Sequence, residues 1–178
     1  MNKAIFLDRD GTITPAGDHP CKIKDMEFID SAMEGLRRMQ KFGYPLIIVT
    51  NQAGIAKGFF KEEDYFSFRN EMHKQLQENG IIINAEYFCP HHTEGIVLRY
   101  RIDCNCRKPK TGMLEQAAKD FNLDLKKCWM IGDSISDIKA GKNAGCKTIQ
   151  VLSGEEKKEL DEADFIAYEL VHASYFIS

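Results

Sequence analysis

Short apolar runs alternate along the chain with segments of helical period. The first run, Ala4-Ile5-Phe6-Leu7, stops at Asp8. Apolar or small residues then recur at Ala32, Met33, Leu36 and Met39, which predicts a helix near 31–41 that Gly43 ends. Pro45 to Thr50 is again strand-like. A helix is expected near 61–79, with Glu62, Glu63 and Asp64 in its first turn, where negative charge suits the helix dipole, and with Gly80 at its close. Residues 81–89 read as a third strand, and residues 90–110 follow neither period. The pattern then predicts a helix near 113–121, a strand at 129–132, a helix near 135–144 and a strand at 147–152. The tail from Gly154 is charged and then mildly apolar, and the run 155–159 reads as a solvated helix face.

Strands alternating with helices at this spacing imply βαβ units. The expected fold class is α/β, a Rossmann-like parallel sheet with helices on both faces. With 178 residues, 43% hydrophobic and 29% charged, the chain suits one globular domain spanning 1–178 and excludes disorder or coiled coil as its main organisation. A net charge of −3 speaks against a protein that reads nucleic acid or anionic membrane by electrostatics. The apolar runs are far shorter than a membrane span, and charge comes too early in Met1-Asn2-Lys3 for a signal peptide, so a cytoplasmic location is expected.

In a parallel sheet, function gathers in the loops beyond the carboxyl ends of the strands. Asp8-Arg9-Asp10-Gly11-Thr12 follows the first run and Thr50-Asn51-Gln52-Ala53-Gly54 the second. Arg107-Lys108-Pro109-Lys110 precedes the 113–121 helix, and Gly132-Asp133-Ser134-Ile135-Ser136-Asp137 follows the run at 129–132. One sheet edge thus collects at least three carboxylates, hydroxyl and amide groups and a lysine. Carboxylates crowded into one cleft need protons or a cation, and hard oxygen ligands suit Mg²⁺. With a lysine, an amide and loop N–H groups beside that cation, the edge can cradle a dianionic phosphate. A carboxylate held against the phosphate can attack it to give an acyl phosphate. A second carboxyl two residues away can protonate the leaving oxygen and later deprotonate water. Any single strand-end Asp also suits a turn or a helix cap; the four segments in this order carry the argument together.

Of the six cysteines, Cys128 and Cys146 open apolar runs and read as small core residues, as does Trp129, while Cys21 stands apart. Cys89-Pro90-His91-His92 and Cys104-Asn105-Cys106 form the pattern Cys-x-His-x12-Cys-x-Cys. Cys89, His91, Cys104 and Cys106 offer three thiolates and one imidazole, a full tetrahedral set for a structural Zn²⁺, with His92 as the alternative imidazole. Zinc binding in finger peptides is worth about 10–16 kcal/mol, ample to order a loop at 89–106. Arg107 and Lys108 follow directly, so the metal would fix where those cations point.

Taken together, these segments resemble the haloacid dehalogenase superfamily of phosphohydrolases. Phe6-Leu7-Asp8-Arg9-Asp10-Gly11-Thr12-Ile13 looks like its first motif, Thr50 its second, Lys108 its third, and Gly132-Asp133 with Asp137 its fourth. The resemblance implies Asp8 as nucleophile and Asp10 as general acid/base. It implies Mg²⁺ held by Asp8, the Asp10 carbonyl and Asp133, with Thr50 and Lys108 steadying the phosphoryl group. The intervals between Asp8, Thr50 and Lys108 are filled by the elements already assigned, so the fold is expected to be capless and its site open.

Cys-Pro-His-His, Cys-x-Cys-Arg-Lys-Pro and Thr-Asn-Gln-x-Gly-Ile narrow the resemblance to the D-glycero-D-manno-heptose 1,7-bisphosphate 7-phosphatases, with the histidinol-phosphate phosphatases similar. It implies a small phosphorylated sugar as substrate, contacted by Asn51, Gln52, Ala53, Arg107 and Lys108 and by the loop Ala16 to His19. Arg9 reads either as a phosphate-facing cation or as a strand-end cation. Ala16-Gly17-Asp18-His19, Ala53, Lys57 and Ser134 depart from the family's usual residues at substrate-facing positions. Lys57 keeps the charge of the usual Arg but loses its fork. The retained carboxylates argue against an idle binding module, and the acidic charge against a polynucleotide phosphatase. With no long apolar helix face, a monomer is expected.

Overall fold

Ile5, Phe6 and Leu7 are all fully buried, yet Phe6 faces a different core from its neighbours. This is the period of two expected of a strand covered on both faces. The computed structural model describes residues 2–17, 21–154 and 157–177. Its sheet contains β1 (Ile5–Leu7), β2 (Leu46–Asn51), β3 (Ala85–Cys89), β4 (Trp129–Gly132), β5 (Lys147–Val151) and β6 (Phe165–Ala167). The order is β3-β2-β1-β4-β5-β6 and every pairing is parallel. On one face α1 (Ala32–Gln40), α2 (Glu62–Glu78) and α5 (Leu170–Ala173) cover Ile5, Leu7, Leu46, Ile48, Trp129 and Ile131. On the other, α3 (Gly112–Asp120) and α4 (Ile135–Ala144) cover Phe6, Ile47, Val49 and Met130. Cys128 and Cys146 belong to this second core.

The chain builds outward from β1 to β3, then returns to place β4 on the other side of β1. That reversal makes a crevice at the carboxyl ends of β1 and β4, the usual ligand position in such sheets. No cap interrupts the sheet among the described residues: only α1 and a short 3-10 turn at Ile23–Asp25 lie between β1 and β2.

Three expectations need correction. The third strand begins at Ala85, not at 81. Ile81 is spent in the core, and Asn84 meets Leu46 through both backbone and side chain: its N donates to Leu46 O at 2.8 Å and its Oδ1 accepts from Leu46 N at 2.9 Å. The tail holds a sixth strand and a fifth helix that its weak pattern did not announce. Residues 157–160 are not helical. The buried Gln150 amide donates to Lys158 O and accepts from Leu160 N, holding that stretch open against β5. Glu155 and Glu156 lie outside the described residues. No helix among the described residues is long and apolar enough to cross a membrane.

Candidate active site

Asp8 directly follows β1, and Asp133 directly follows β4. The reversal of strand order therefore sets them side by side. Asp137, in the first turn of α4, completes a group whose carboxylate oxygens lie within 4.8 Å of one another. All three are buried. Asp137 serves two structures at once. Its Oδ2 accepts from Ser134 N at 3.0 Å and Ser134 Oγ at 2.7 Å, capping α4. Its Oδ1 lies 2.6 Å from Lys108 Nζ. The same Nζ donates to Asp8 Oδ1 and to Val49 O, each at 2.6 Å.

Lys108 is 2% exposed. Burial works against its charge, but Asp137 and Asp8 prevail and hold its pKa above the ordinary lysine value. One lysine does not neutralise three carboxylates. Burial raises the Asp8 pKa well above the carboxylate range; Lys108 opposes this, and Asp137, Asp133 and Asp10 reinforce it. A divalent cation resolves the imbalance, and an all-oxygen donor set fits Mg²⁺. The backbone is shaped around Asp133: an added Cβ would fall 2.4 Å from Asp133 Oδ2 at Gly11 and 1.9 Å from it at Gly154. Gly11 also needs its freedom for φ +88°.

The Asp10 carboxylate faces a different set of partners. Arg9 reaches Oδ1 through Nε and Oδ2 through Nη2, both at 2.9 Å. Gln52 Nε2 donates to Oδ2 at 2.8 Å and Thr14 Oγ1 to Oδ1 at 3.2 Å. Gln52 Nε2 also donates to the buried Thr50 Oγ1 at 2.9 Å. Asp8, Asp10, Thr50, Asn51, Gln52, Lys108 and Asp133 all border one open cavity of about 180 Å³, with Ala16 and Gly17 at its side.

A second cluster stands behind this cavity. Cys89, at the end of β3, meets Cys104 Sγ at 3.4 Å and Cys106 Sγ at 3.1 Å. Cys106 Sγ lies 3.3 Å from both Cys104 Sγ and His91 Nδ1. The four donor atoms lie within 4.8 Å of one another, and none of these cysteines is in a disulfide. Hydrogen bonding from Cys89 outweighs burial and, with help from Cys104 and His91, brings the Cys106 thiol down to about 5. Three sulfurs and one imidazole fit a closed, four-coordinate metal site with no position left for water. His92 is outside the set; its Nδ1 accepts from Glu94 N at 3.1 Å.

The HAD-hydrolase-like family model matches residues 105–173. The chain is 44% identical to the D-glycero-beta-D-manno-heptose-1,7-bisphosphate 7-phosphatase of Pasteurella multocida, over 87% of this chain and 84% of that protein. It is 45% identical to the D-glycero-alpha-D-manno-heptose-1,7-bisphosphate 7-phosphatase of Campylobacter jejuni, over 89% and 87% of the two chains. In structure it is similar to the D,D-heptose 1,7-bisphosphate phosphatase from B. bronchiseptica, crystallised with magnesium and phosphate. The TM-score is 0.86 at 26% identity, over 99% of this chain and 97% of that one. This chain belongs to the haloacid dehalogenase family of phosphatases.

In this phosphatase, the sequence-derived site residues separate into those that reach the cavity and those that do not. Asp8, Asp10, Thr50, Asn51, Gln52, Lys108 and Asp133 reach it; Arg9, Ala53 and Arg107 do not border it. The Arg9 side chain is 1% exposed and turned to Asp10. The Asn51 amide is held on the backbone of Lys108. Arg107 Nη1 donates to His91 O at 3.4 Å, tying it to the cysteine cluster. Asp18 and His19 lie outside the described residues. Asp137 was legible only as part of a motif; its pairing with Lys108 was not. His73 is half-buried against Glu86.

Proposed function

We propose that this phosphatase removes the 7-phosphate of D-glycero-D-manno-heptose 1,7-bisphosphate through an aspartyl-phosphate on Asp8. The observation that carries the reading is the convergence of Asp8, Asp133, Asp137 and Lys108 on one buried point bordered by Thr50 and Gln52. Relatives named for this substrate, 44% and 45% identical, supply the ester. Asp8 attacks phosphorus, the bond to the sugar oxygen breaks, and the Asp10 carboxyl gives that oxygen its proton. Asp10 then takes a proton from water as the water cleaves the acyl phosphate. Lys108 and Thr50 stand beside Asp8 to steady the phosphoryl oxygens.

Asp8, Asp133 and the Asp10 carbonyl are the groups we assign to Mg²⁺, which when bound neutralises charge on the transferring group. Zn²⁺ is assigned to Cys89, His91, Cys104 and Cys106 as a structural ion. The second phosphate of the substrate calls for cations beyond Lys108. We assign that role to Arg107 and Lys57, the two cations that, after burial, lower the pKa of His92.

The test is phosphate release with Mg²⁺ from both anomers of the heptose bisphosphate and from histidinol phosphate. We expect a preference of about 100-fold or more, some 2.7 kcal/mol in transition-state binding, for one heptose anomer. A preference for histidinol phosphate overturns the substrate assignment and leaves the aspartyl-phosphate chemistry standing.

A further inference from the structure

Asp10 must present its carboxyl to the substrate oxygen within a few tenths of an ångström, yet it sits on a loop and its side chain is a quarter exposed. Its position is set from below. The Arg9 guanidinium grips both oxygens in parallel, and it is fixed in turn. It packs 4.9 Å from the centre of the Phe68 ring and 5.7 Å from that of Tyr65. Tyr65 in turn leads to a buried carboxylate that the reaction does not use, Glu86 of β3, whose side chain is 1% exposed. Glu86 Oε1 accepts from Tyr65 Oη at 2.6 Å, and Oε2 lies 2.7 Å from His73 Nε2. Burial disfavours the Arg9 charge, but Asp10 and, after it, Glu86 outweigh it and raise its pKa.

We infer that Arg9 and Glu86 are positioning residues for the general acid/base, a buried bracket that aims the Asp10 carboxyl at the leaving oxygen. The inference rests on the aspartyl-phosphate reading above. A carboxylate offers about four acceptor positions, and all four are occupied here. The two charged, parallel bonds from Arg9 are the strong ones. The neutral donors Gln52 and Thr14 are those that a substrate oxygen or a water can displace. Asp10 thereby keeps its aim while it exchanges one partner for the reacting atom. A bracket that served only to hold α2 on the sheet would have no need to end in a fork on Asp10.

The test uses the leaving group. A sugar alkoxide needs a proton as the P–O bond breaks; a nitrophenolate departs as a stable anion and does not. Arg9→Lys and Glu86→Gln are compared with the wild type in the first turnover, reading leaving-group release from heptose 1,7-bisphosphate and from p-nitrophenyl phosphate. Melting temperature and bound metal confirm folding, and Glu86→Gln, which keeps the shape and removes the charge, carries the test if Arg9→Lys does not fold. We expect release from the sugar ester to fall by about 10- to 100-fold, within the range of general acid catalysis, and nitrophenolate release by less than about threefold. Equal losses on both esters, or no loss on either, overturn the positioning role while the aspartyl-phosphate reading survives. A wild type that forms no acyl phosphate overturns that reading, and the positioning role with it.

Discussion

Asn51 and Lys108 exchange two hydrogen bonds across 57 positions of sequence. Lys108 N donates to Asn51 Oδ1 at 3.0 Å, and Asn51 Nδ2 donates to Lys108 O at 3.1 Å. The end of β2 thus clamps the backbone of the residue whose ammonium joins Asp8 to Asp137. Asn51, which borders the cavity where it was expected to touch substrate, also sets the height of the lysine. Asn51→Ala should cost about 1–3 kcal/mol of stability, because it strips partners from a half-buried backbone. It should also lower kcat by about 10- to 100-fold with a smaller change in KM, as a misplaced charge does. Thermal melts and steady-state kinetics check both; an unchanged kcat would leave Lys108 held by its ion pairs alone.

Asp8→Asn should abolish turnover and leave the fold intact. The amide occupies the same volume but is no nucleophile. It also removes one of the charges crowded around Asp133 and Asp137, so the magnesium-free variant should melt no lower than the magnesium-free wild type. Mass spectrometry of acid-quenched protein should find a phosphoryl group on the wild type and none on the variant. Measurable turnover by Asp8→Asn would remove the nucleophile assignment.

Much of this site was legible before any coordinates. Each catalytic segment directly follows or precedes a strongly patterned element, and a parallel sheet has only one edge at which to collect strand ends. The cysteine and histidine spacing carried its own chemistry. What stayed hidden were relationships between segments. Nothing in the order of residues says that Arg9 turns inward to Asp10, or that Tyr65 beside it is tied to Glu86 of β3. Asp137 looks like a helix cap in sequence because it is one; that its other oxygen holds Lys108 is decided by the packing of α4 on β4. The sixth strand was missed because Phe165–Ala167 is too short to show a period.

The pH dependence of stability follows from Asp8. Burial and the facing carboxylates raise its pKa in the folded, metal-free protein despite Lys108. The stability it contributes is therefore fully present below the unfolded value of about 3.9 and is lost as pH rises through the raised folded value. Bound Mg²⁺ favours the ionised form and opposes that loss. The rise in melting temperature on adding Mg²⁺ to magnesium-free protein should grow as pH climbs from the unfolded value of about 3.9 through the raised folded value. Scanning calorimetry across that range checks it; a constant increment would show that Asp8 is ionised throughout.

Removing Zn²⁺ should act at a distance. Cys106 is two residues from Lys108, and Gly112, at the start of α3, donates its N–H to Asn105 O at 3.0 Å. The cysteine cluster therefore fixes both the lysine and the helix that follows. Protein stripped of zinc, or carrying Cys106→Ser, should melt lower and lose kcat, while Asp8 keeps its place at the end of β1. Loss of zinc proven by elemental analysis, with melt and rate both unchanged, would refute the structural role.

Gly154 offers the sharpest test of the carboxylate site, because it lies outside every motif. Its missing side chain makes room for Asp133: a Cβ there would stand 1.9 Å from Oδ2 and 2.4 Å from the Asp133 Cβ. Asp133 is closely framed, since a Cβ added at Gly11 would also fall 2.4 Å from the same carboxylate oxygen. Gly154→Ala must displace the Asp133 carboxylate. The variant should fold, because Gly154 follows β5 and no strand pairing depends on it. Its half-saturating Mg²⁺ concentration should rise by about tenfold or more, the scale on which displaced metal-site groups act, while kcat at saturating Mg²⁺ recovers in part. A magnesium titration of phosphate release decides the matter. An unchanged half-saturation would mean that Asp133 does not hold the ion.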